Sequence, residues 1–258
     1  MRSRIGVIAF NTFREAVRDR VLYNLIVFAL IMIGASLLLG QITIGVERQL
    51  LINLGLTSIS VFGVLIAIFI GIGLVSKEID KRTLYTMLTR PVRRWEFILG
   101  KFFGLVITLI VNAGFMTLGF FLALFYLMHG FERSDLSILV AIYFILLQFM
   151  MVTAIALVFS SFSTPIESAV LTFAFFVVGS FSEDLRGFAE MATGTSHYLA
   201  VGMSYIIPNF SALNVIASVA HGNPVSRELV LMNTLYAFGY AGAAICLASV
   251  IFQNRNMK

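Results

Sequence analysis

The residues that most often perform chemistry are few in this chain, and their spacing fits no catalytic site. The H-E-x-x-H pattern of zinc proteases is absent. A serine protease needs a base beside its nucleophile, but the three histidines fall between apolar runs or at their ends. A Walker A motif is also absent, because Gly100-Lys101 lacks the earlier glycine and is followed by Phe102. We therefore predict no catalytic residue and no ATP site in this chain.

The sequence does not indicate metal binding or ion conduction. The single cysteine, Cys246, lies in an apolar run, and no Cys/His cluster accompanies it. The eleven methionines fit helix interfaces, and a methionine track for a metal ion is the less favoured alternative. Charges inside apolar runs mark ion or proton paths, and none lies near the centre of a run. We predict no metal site and no cofactor bound by this chain.

The elements that must hold these residues are membrane helices. Of the 258 residues, 59% are hydrophobic and 12% are charged, about half the ~25% charge of soluble domains. Six apolar runs have lengths close to the ~17–25 residues that cross a bilayer. The runs are 21–40, 54–76, 102–128, 136–160, 166–182 and 229–252. Their lack of alternation excludes a β-barrel. We predict an all-α polytopic bundle of six transmembrane helices, forming one domain over 1–258.

The basic residues predict the topology of this bundle. Fourteen of the 18 lysines and arginines precede the first run, lie in the segment 77–101, or follow the last run. Because cytosolic loops are enriched in lysine and arginine, both termini are predicted to be cytosolic. Basic residues that flank apolar runs account for the net charge of +5, so we expect membrane lipid as a partner and no nucleic acid.

Residues 3–20 have the pattern of an amphipathic helix. Ile5, Ile8 and Phe13 fall on one face at helical spacing, whereas Arg14 and Arg18 fall on the other. We predict an interfacial helix whose basic face meets anionic lipid headgroups. The alternative is a basic anchor that only fixes the topology.

The longest stretch between runs is 183–228, on the predicted outer side. Its moderately apolar pieces, 198–207 and 210–220, are separated by Pro208-Asn209. We expect these pieces to lie in the outer interface or to dip into it. Whether the stretch contains re-entrant or additional spanning segments stays open.

The segment 77–101 holds the densest group of charges. Glu78 precedes Arg82 by four residues, a favourable helical pair. Leu84 and Leu88 form an apolar stripe, and Pro91 ends the helix. A short helix with such a stripe can insert into a hydrophobic groove of a soluble partner. The alternative is a solvated loop that only sets the topology.

The same segment resembles the first cytosolic loop of ABC-2 type permeases, the membrane subunits of ATP-driven exporters. It is most similar to the branch associated with multicopper-enzyme maturation and nitrous-oxide-reductase assembly. Arg82 departs from the family pattern, since many members have glycine before the threonine, and the local turn geometry stays open. The resemblance rests on Glu78, Thr83, Leu84, Leu88, Pro91, Val92, Arg94, Phe97, Gly100 and Lys101.

The resemblance implies that 77–101 is a coupling segment that docks on a separate cytosolic P-loop ATPase. It implies that ATP and Mg²⁺ bind that partner, that a second permease copy completes the transporter, and that the chain lies in a bacterial or archaeal inner membrane. It does not identify the substrate path. The partner-binding residues carried over are Glu78, Thr83, Leu84, Leu88, Pro91, Arg94 and Lys101. A non-transporting anchor or sensor that docks a soluble partner through this segment is the alternative.

Four polar residues fall in the middle of apolar runs: Asn112, Gln148, Thr153 and Thr172. We predict hydrogen bonds between helices, with the lining of a substrate path as the alternative. Glu167 is expected to cap the fifth span, because an acid in a first helical turn suits the helix dipole. A position at the ATPase interface is the second possibility for Glu167.

Pairs of glycines within the runs predict close helix approach, either inside the chain or at a subunit interface. The pairs are Gly71/Gly73, Gly100/Gly104 and Gly239/Gly242.

Overall fold

The computed structural model of the chain describes residues 4–42, 45–80, 93–128, 136–184, 187, 197–198, 202 and 206–254, with the backbone alone for 21, 39, 41–42, 73–80 and 254. All regular elements in these ranges are helices, which confirms the all-α class there. They are α1 (Arg4–Ala16), α2 (Arg20–Ile42), α3 (Glu47–Asp80), α4 (Arg94–Met128), α5 (Leu136–Ser160), α6 (Pro165–Ser180), α7 (Ile216–Ala220) and α8 (Arg227–Asn254), with a 3-10 turn at Ser211–Leu213.

Four of the six predicted spans are confirmed by length and composition. They are Glu47–Ile72 of α3, Arg94–Met128, Leu136–Ser160 and Arg227–Gln253. The described apolar stretch of α2, Leu22–Leu38, and the whole of α6 are shorter. At 1.5 Å per residue, the 16 residues of α6 reach about 24 Å, less than the ~30 Å of hydrocarbon. Membrane crossing by α2 and α6 stays a prediction.

Contacts between helix ends define the directions in the bundle. Gly40 near the end of α2 lies close to Leu127 at the end of α4 and to Glu47 at the start of α3. At the opposite end, Phe97 in the first turn of α4 stacks on Phe252 in the last turn of α8. Helices α2 and α4 therefore run in one direction, and α3 and α8 run in the other.

We call the end that holds α1, the start of α4 and the end of α8 the basal end, and the opposite one the distal end. Among the described residues, the distal end carries Arg48 and Arg227. The structure therefore gathers the described residues of the basic segments at one end of the bundle. The described basic residues of the basal end are Arg4, Arg14, Arg18, Arg20, Lys77 (by its backbone), Arg93, Arg94 and Lys101.

Helix α5 forms the centre of the bundle. All residues from 151 to 157 are buried, and α3, α4, α6 and α8 pack around the helix. The outward faces of α4 and α8 instead expose large apolar side chains such as Phe115, Leu122 and Leu235. An apolar exterior around an apolar centre is the arrangement of a bundle surrounded by lipid.

The predicted outer piece 210–220 packs into the bundle. Phe210, Leu213, Ile216 and Val219 belong to the main buried cluster, and α7 lies against α3. Gly179 near the end of α6 makes room for the turn at 208–210. The piece 198–207 lies largely outside the described residues.

Helix α1 occupies most of the predicted amphipathic stretch and packs against α4. Its buried residues are Ile8, Ala9, Thr12 and Ala16. Phe10 and Arg14 are exposed on other faces of the helix. The location of α1 at a membrane interface stays a prediction.

Candidate functional site

The structure describes only part of the predicted partner-binding set. Thr83, Leu84, Leu88 and Pro91 lie outside the described residues. Glu78 belongs to the last turn of α3, described by its backbone alone. The remaining two residues, Arg94 and Lys101, lie in the first turns of α4, and both have side-chain partners within the chain.

The first turn of α4 is stabilised by an acidic residue. The Glu96 carboxylate accepts a hydrogen bond from the backbone N–H of Arg93 at 3.0 Å. Arg93 directly precedes the helix, and an acid three residues after that position has the spacing of a capping box. A negative charge in the first turn also interacts favourably with the helix dipole. Arg4 of α1 lies 3.9 Å from the same carboxylate. Glu96 therefore fixes the point at which the segment 77–101 becomes helix α4.

Arg94 joins the start of α4 to the end of α8. Its Nη1 donates hydrogen bonds to the backbone oxygens of Phe252 at 3.0 Å and Gln253 at 2.7 Å. The last carbonyls of a helix have no partner in their own helix, and a cation is favourable there. The rings of Phe97 and Phe252 stack beside this contact with centroids 5.8 Å apart. A polar and an aromatic contact therefore hold the two helix ends together.

Lys101 lies between α1 and α4. Its side chain is 2% exposed, and Nζ is 3.9 Å from a carboxylate oxygen of Glu15, which is 45% exposed. Nζ also lies 5.7 Å from the centroid of the Phe97 ring, within the range of a cation–π interaction. A buried ammonium is tolerated only when it is paired. The lysine therefore connects α1 to α4 rather than facing solvent.

Two glycines allow α1 to cross α4 at close range. A Cβ on Gly100 would lie 2.6 Å from Cβ of Ile8, and a Cβ on Gly104 would lie 2.6 Å from the backbone oxygen of Ala9. Neither position has room for a larger residue without displacing α1. This pair confirms the prediction of close approach and identifies the neighbour as the N-terminal helix.

The contacts of Arg94 and Lys101 differ from those expected of residues that only face a soluble partner. Sequence reasoning missed Glu15, Glu96 and Phe252 as their neighbours. The spacing of Glu96 from Arg93 is a readable capping signal, whereas nothing local in the sequence connects residue 252 to residue 94. We call this set of contacts between α1, α4 and α8 the basal clasp.

The four mid-span polar residues differ in their hydrogen bonding. Ser60 of α3 donates to the Gln148 side-chain oxygen of α5 at 3.2 Å, which is the predicted bond between helices. Thr153 and Thr172 instead donate to carbonyls one turn earlier in their own helices. The Nδ2 atom of Asn112 is buried without a hydrogen-bond partner among the described residues.

Glu167 has the capping role that was favoured for it. Its carboxylate accepts a hydrogen bond from the backbone N–H of Thr164 at 3.1 Å, at the start of α6. This bond satisfies one of the donors that a helix start leaves unpaired.

Two apolar grooves open on the lipid-facing surface. One, of about 490 Å³, lies between α3 and α6 near the basal end and includes Ile72 and Pro165 in its wall. The other, of about 430 Å³, lies between α4, α5 and α8 and includes Phe103, Tyr143 and Gly242. Both are lined almost entirely by carbon atoms, so they suit hydrocarbon and not a charged solute.

The sequence was compared with protein families and with curated proteins. Residues 7–257 match the family described as ABC-2 family transporter protein. No curated protein matches the chain. The match extends from Val7 of α1 to beyond the end of α8, and it includes all of the long apolar helices.

Proposed function

The chain belongs to the ABC-2 family of transporters, and we propose that it is the permease subunit of an ATP-driven exporter. Family membership and the long apolar helices make it a multi-pass membrane protein with the role of a transport permease. Permeases of this family normally work with a cytosolic ATPase subunit and dimerise. We infer both partners for this chain: a P-loop ATPase that binds ATP and Mg²⁺, and a second permease copy.

The position of the segment 77–101 carries the proposal of coupling. Helix α3 ends at Asp80 and α4 begins at Arg94, so the residues between them connect two long helices at the basal end. The same end carries most of the described basic residues, which is the composition of a cytosolic side. We therefore place the basal end in the cytosol of a bacterial or archaeal cell, with the docking stripe of Leu84 and Leu88 facing the ATPase.

The proposed mechanism is alternating access. ATP binding closes the ATPase dimer, the segment 77–101 moves with it, and the attached helices open a path to the distal side. ATP shifts this equilibrium only as far as it binds one state more tightly than the other. The apolar grooves favour an amphiphilic substrate. The resemblance to the branch that assembles copper enzymes suggests instead a substrate that is used in that assembly.

Co-purification tests the docking role. The chain is tagged and co-expressed with a candidate P-loop ATPase, and the complex is recovered from detergent. Leu84→Asp combined with Leu88→Asp should abolish recovery of the ATPase, because two carboxylates cannot enter an apolar groove. Leu84→Met combined with Leu88→Met is the matched control, since it keeps the apolar surface, and the control should retain the complex.

The outcome also separates the transporter from a membrane anchor or sensor. A complex that survives the double aspartate change would show that docking lies elsewhere. Reconstitution of an intact complex in liposomes, followed by ATP-dependent movement of fluorescent lipid and peptide probes, then tests transport itself. Docking without movement of any probe would favour the anchor.

A further inference from the structure

Helix α8 is attached at its two ends to two different parts of the molecule. At the basal end, Arg94 holds the carbonyls of its last turn. At the distal end, side chains of its first half hold the segment 206–213 through hydrogen bonds. The helix is 28 residues long and contains no proline, so at 1.5 Å per residue it spans about 42 Å without a break.

The distal attachments lie on one face of α8. Nδ2 of Asn233 donates to the backbone oxygen of Ala212 at 2.7 Å, and the Tyr236 hydroxyl accepts from the backbone N–H of Asn209 at 2.8 Å. One turn further, the Tyr240 hydroxyl donates to the backbone oxygen of Ile206 at 3.1 Å. Residues spaced by three and four positions share one side of a helix. The segment 206–213 is therefore fixed to α8 over two turns.

The attached segment is the first part of residues 206–220, which we call the cap, at the distal end of the bundle. Phe210 and Leu213 are buried, and the following helix α7 packs on α3. The cap is also tied to the end of α6, because Ser182 donates to the Asn209 side chain at 2.6 Å. A displacement of α8 along its axis would pull on the cap at Asn209 and Ala212.

We propose that α8 transmits movement of the coupling segment to the cap formed by residues 206–220, so that the basal clasp controls access to the distal end of the transport path. Arg94 and Tyr236 are the positioning residues at its two ends. The inference rests on the proposed function, because it needs an ATPase that moves the segment 77–101.

The contacts supply what such coupling requires. Energetic coupling between distant sites passes through packed side chains, hydrogen bonds and rigid helices. Here a single helix carries both sets of bonds. All three distal attachments join a side chain of α8 to the backbone of the cap through neutral hydrogen bonds. The basal attachment instead uses a charged guanidinium, the stronger type of bond.

Paired reporters in the permease–ATPase complex test the proposal. The exposed native cysteine is removed by Cys246→Ala. Single cysteines are then introduced at one of two exposed positions, Asn11 of α1 or Ser218 of α7, and they are labelled with an environment-sensitive fluorophore. The signal is compared without nucleotide and with ADP and vanadate. We expect the parent chain to respond at both positions.

Two substitutions break the connection at opposite ends of α8. Tyr236→Phe removes the distal hydroxyl and should reduce the response at residue 218 at least about fivefold, the lower end of coupling factors between linked sites. The response at residue 11 should stay. Arg94→Gln should also reduce the response at residue 218, because the basal bond is lost.

Matched controls change the same chemistry beside each site. Tyr143→Phe removes a hydroxyl that bonds Thr234 of α8 at 2.9 Å but does not touch the cap. Arg93→Gln removes the same charge one residue from Arg94, at an exposed position. Both controls should retain the response at residue 218.

The outcomes distinguish this proposal from the proposed function. A parent chain that responds at residue 11 but not at residue 218 overturns the transmission by α8 and leaves the exporter standing. A response at residue 218 that survives both Tyr236→Phe and Arg94→Gln overturns it as well. Absence of any nucleotide response, or of a complex with an ATPase, contradicts the proposed function and the inference together.

Discussion

The glycine pairs Gly100/Gly104 of α4 and Gly239/Gly242 of α8 consist of the same residue type but have opposite surroundings. A Cβ on either glycine of α4 would collide with α1, whereas a Cβ on either glycine of α8 would meet nothing within 4 Å. On α4 the missing side chains make room for another helix of the same chain. On α8 the same residues leave an open surface next to the exposed Cys246.

The difference shows that small residues indicate where a helix can be approached but not what approaches it. On α4 the approach is fixed by residues around the pair. Lys101 follows Gly100 directly, and its pairing with Glu15 links α1 to α4 beside the close crossing. Helix α8 has no comparable charge beside Gly239 and Gly242 among the described residues. Small residues only allow a helix to pack closely on a surface, and specific contacts around them decide whether one does.

Reversal of the charge at Lys101 should disrupt the packing of α1 on α4 and cause the largest loss of stability. Lys101→Glu would bury a carboxylate that faces Glu15 with like charge. We expect the free energy of unfolding to fall by about 3–5 kcal/mol, the usual cost of leaving a buried charge unpaired. The measurement is a denaturant titration of the full chain in detergent, with folded yield as a second readout.

The exchanged pair provides the control for this prediction. Lys101→Glu combined with Glu15→Lys restores opposite charges across the contact and should recover part of the lost stability. If the double variant is no more stable than Lys101→Glu alone, the pairing with Glu15 does not hold α1 in place.

Much of the fold was readable from the sequence because the bilayer limits the choices. Backbone groups in hydrocarbon must be paired within the segment, so a long apolar run predicts a helix. This reasoning finds α3, α4, α5 and α8. It is less decisive for α6, whose 16 residues are near the lower limit of a span. It also cannot give the depth of the piece 210–220, because that depth depends on the turn at Pro208 and the bonds of Asn209.

The candidate site was less readable for a different reason. The predicted docking stripe of Leu84 and Leu88 is a local pattern, so the prediction needs only a few neighbouring residues. The partners of Arg94 lie 158 and 159 positions away along the chain, and only the direction of α8 brings them together. The sequence indicated that Arg94 and Lys101 matter, but their contacts with α8 and α1 follow from tertiary packing.

Gly104→Ala should disrupt the packing of α1 on α4 by steric overlap, with an intermediate loss of stability. The added methyl would collide with the Ala9 backbone oxygen and with Thr12, and the backbone of α1 cannot yield as a flexible side chain would. Overpacking of this kind costs about 1–3 kcal/mol of unfolding free energy. Thermal unfolding of the detergent-solubilised chain would detect the loss. Gly114→Ala is the matched control on α4, because a Cβ there has open space. Equal stability of the two variants would contradict the close crossing of α1.

Gly239→Ala should increase the stability slightly, whereas Gly104→Ala should decrease it. Its methyl group has open space within the chain, and alanine favours a helix interior over glycine by up to about 1 kcal/mol. We expect the isolated chain to gain a few degrees in its thermal midpoint, measured beside Gly104→Ala under the same conditions. A gain for the isolated chain that disappears in the assembled transporter would show that another surface, such as that of a second permease copy, lies against α8. A loss already in the isolated chain would show that the open surface beside Gly239 is closed in solution, and that the contrast between the two glycine pairs is wrong.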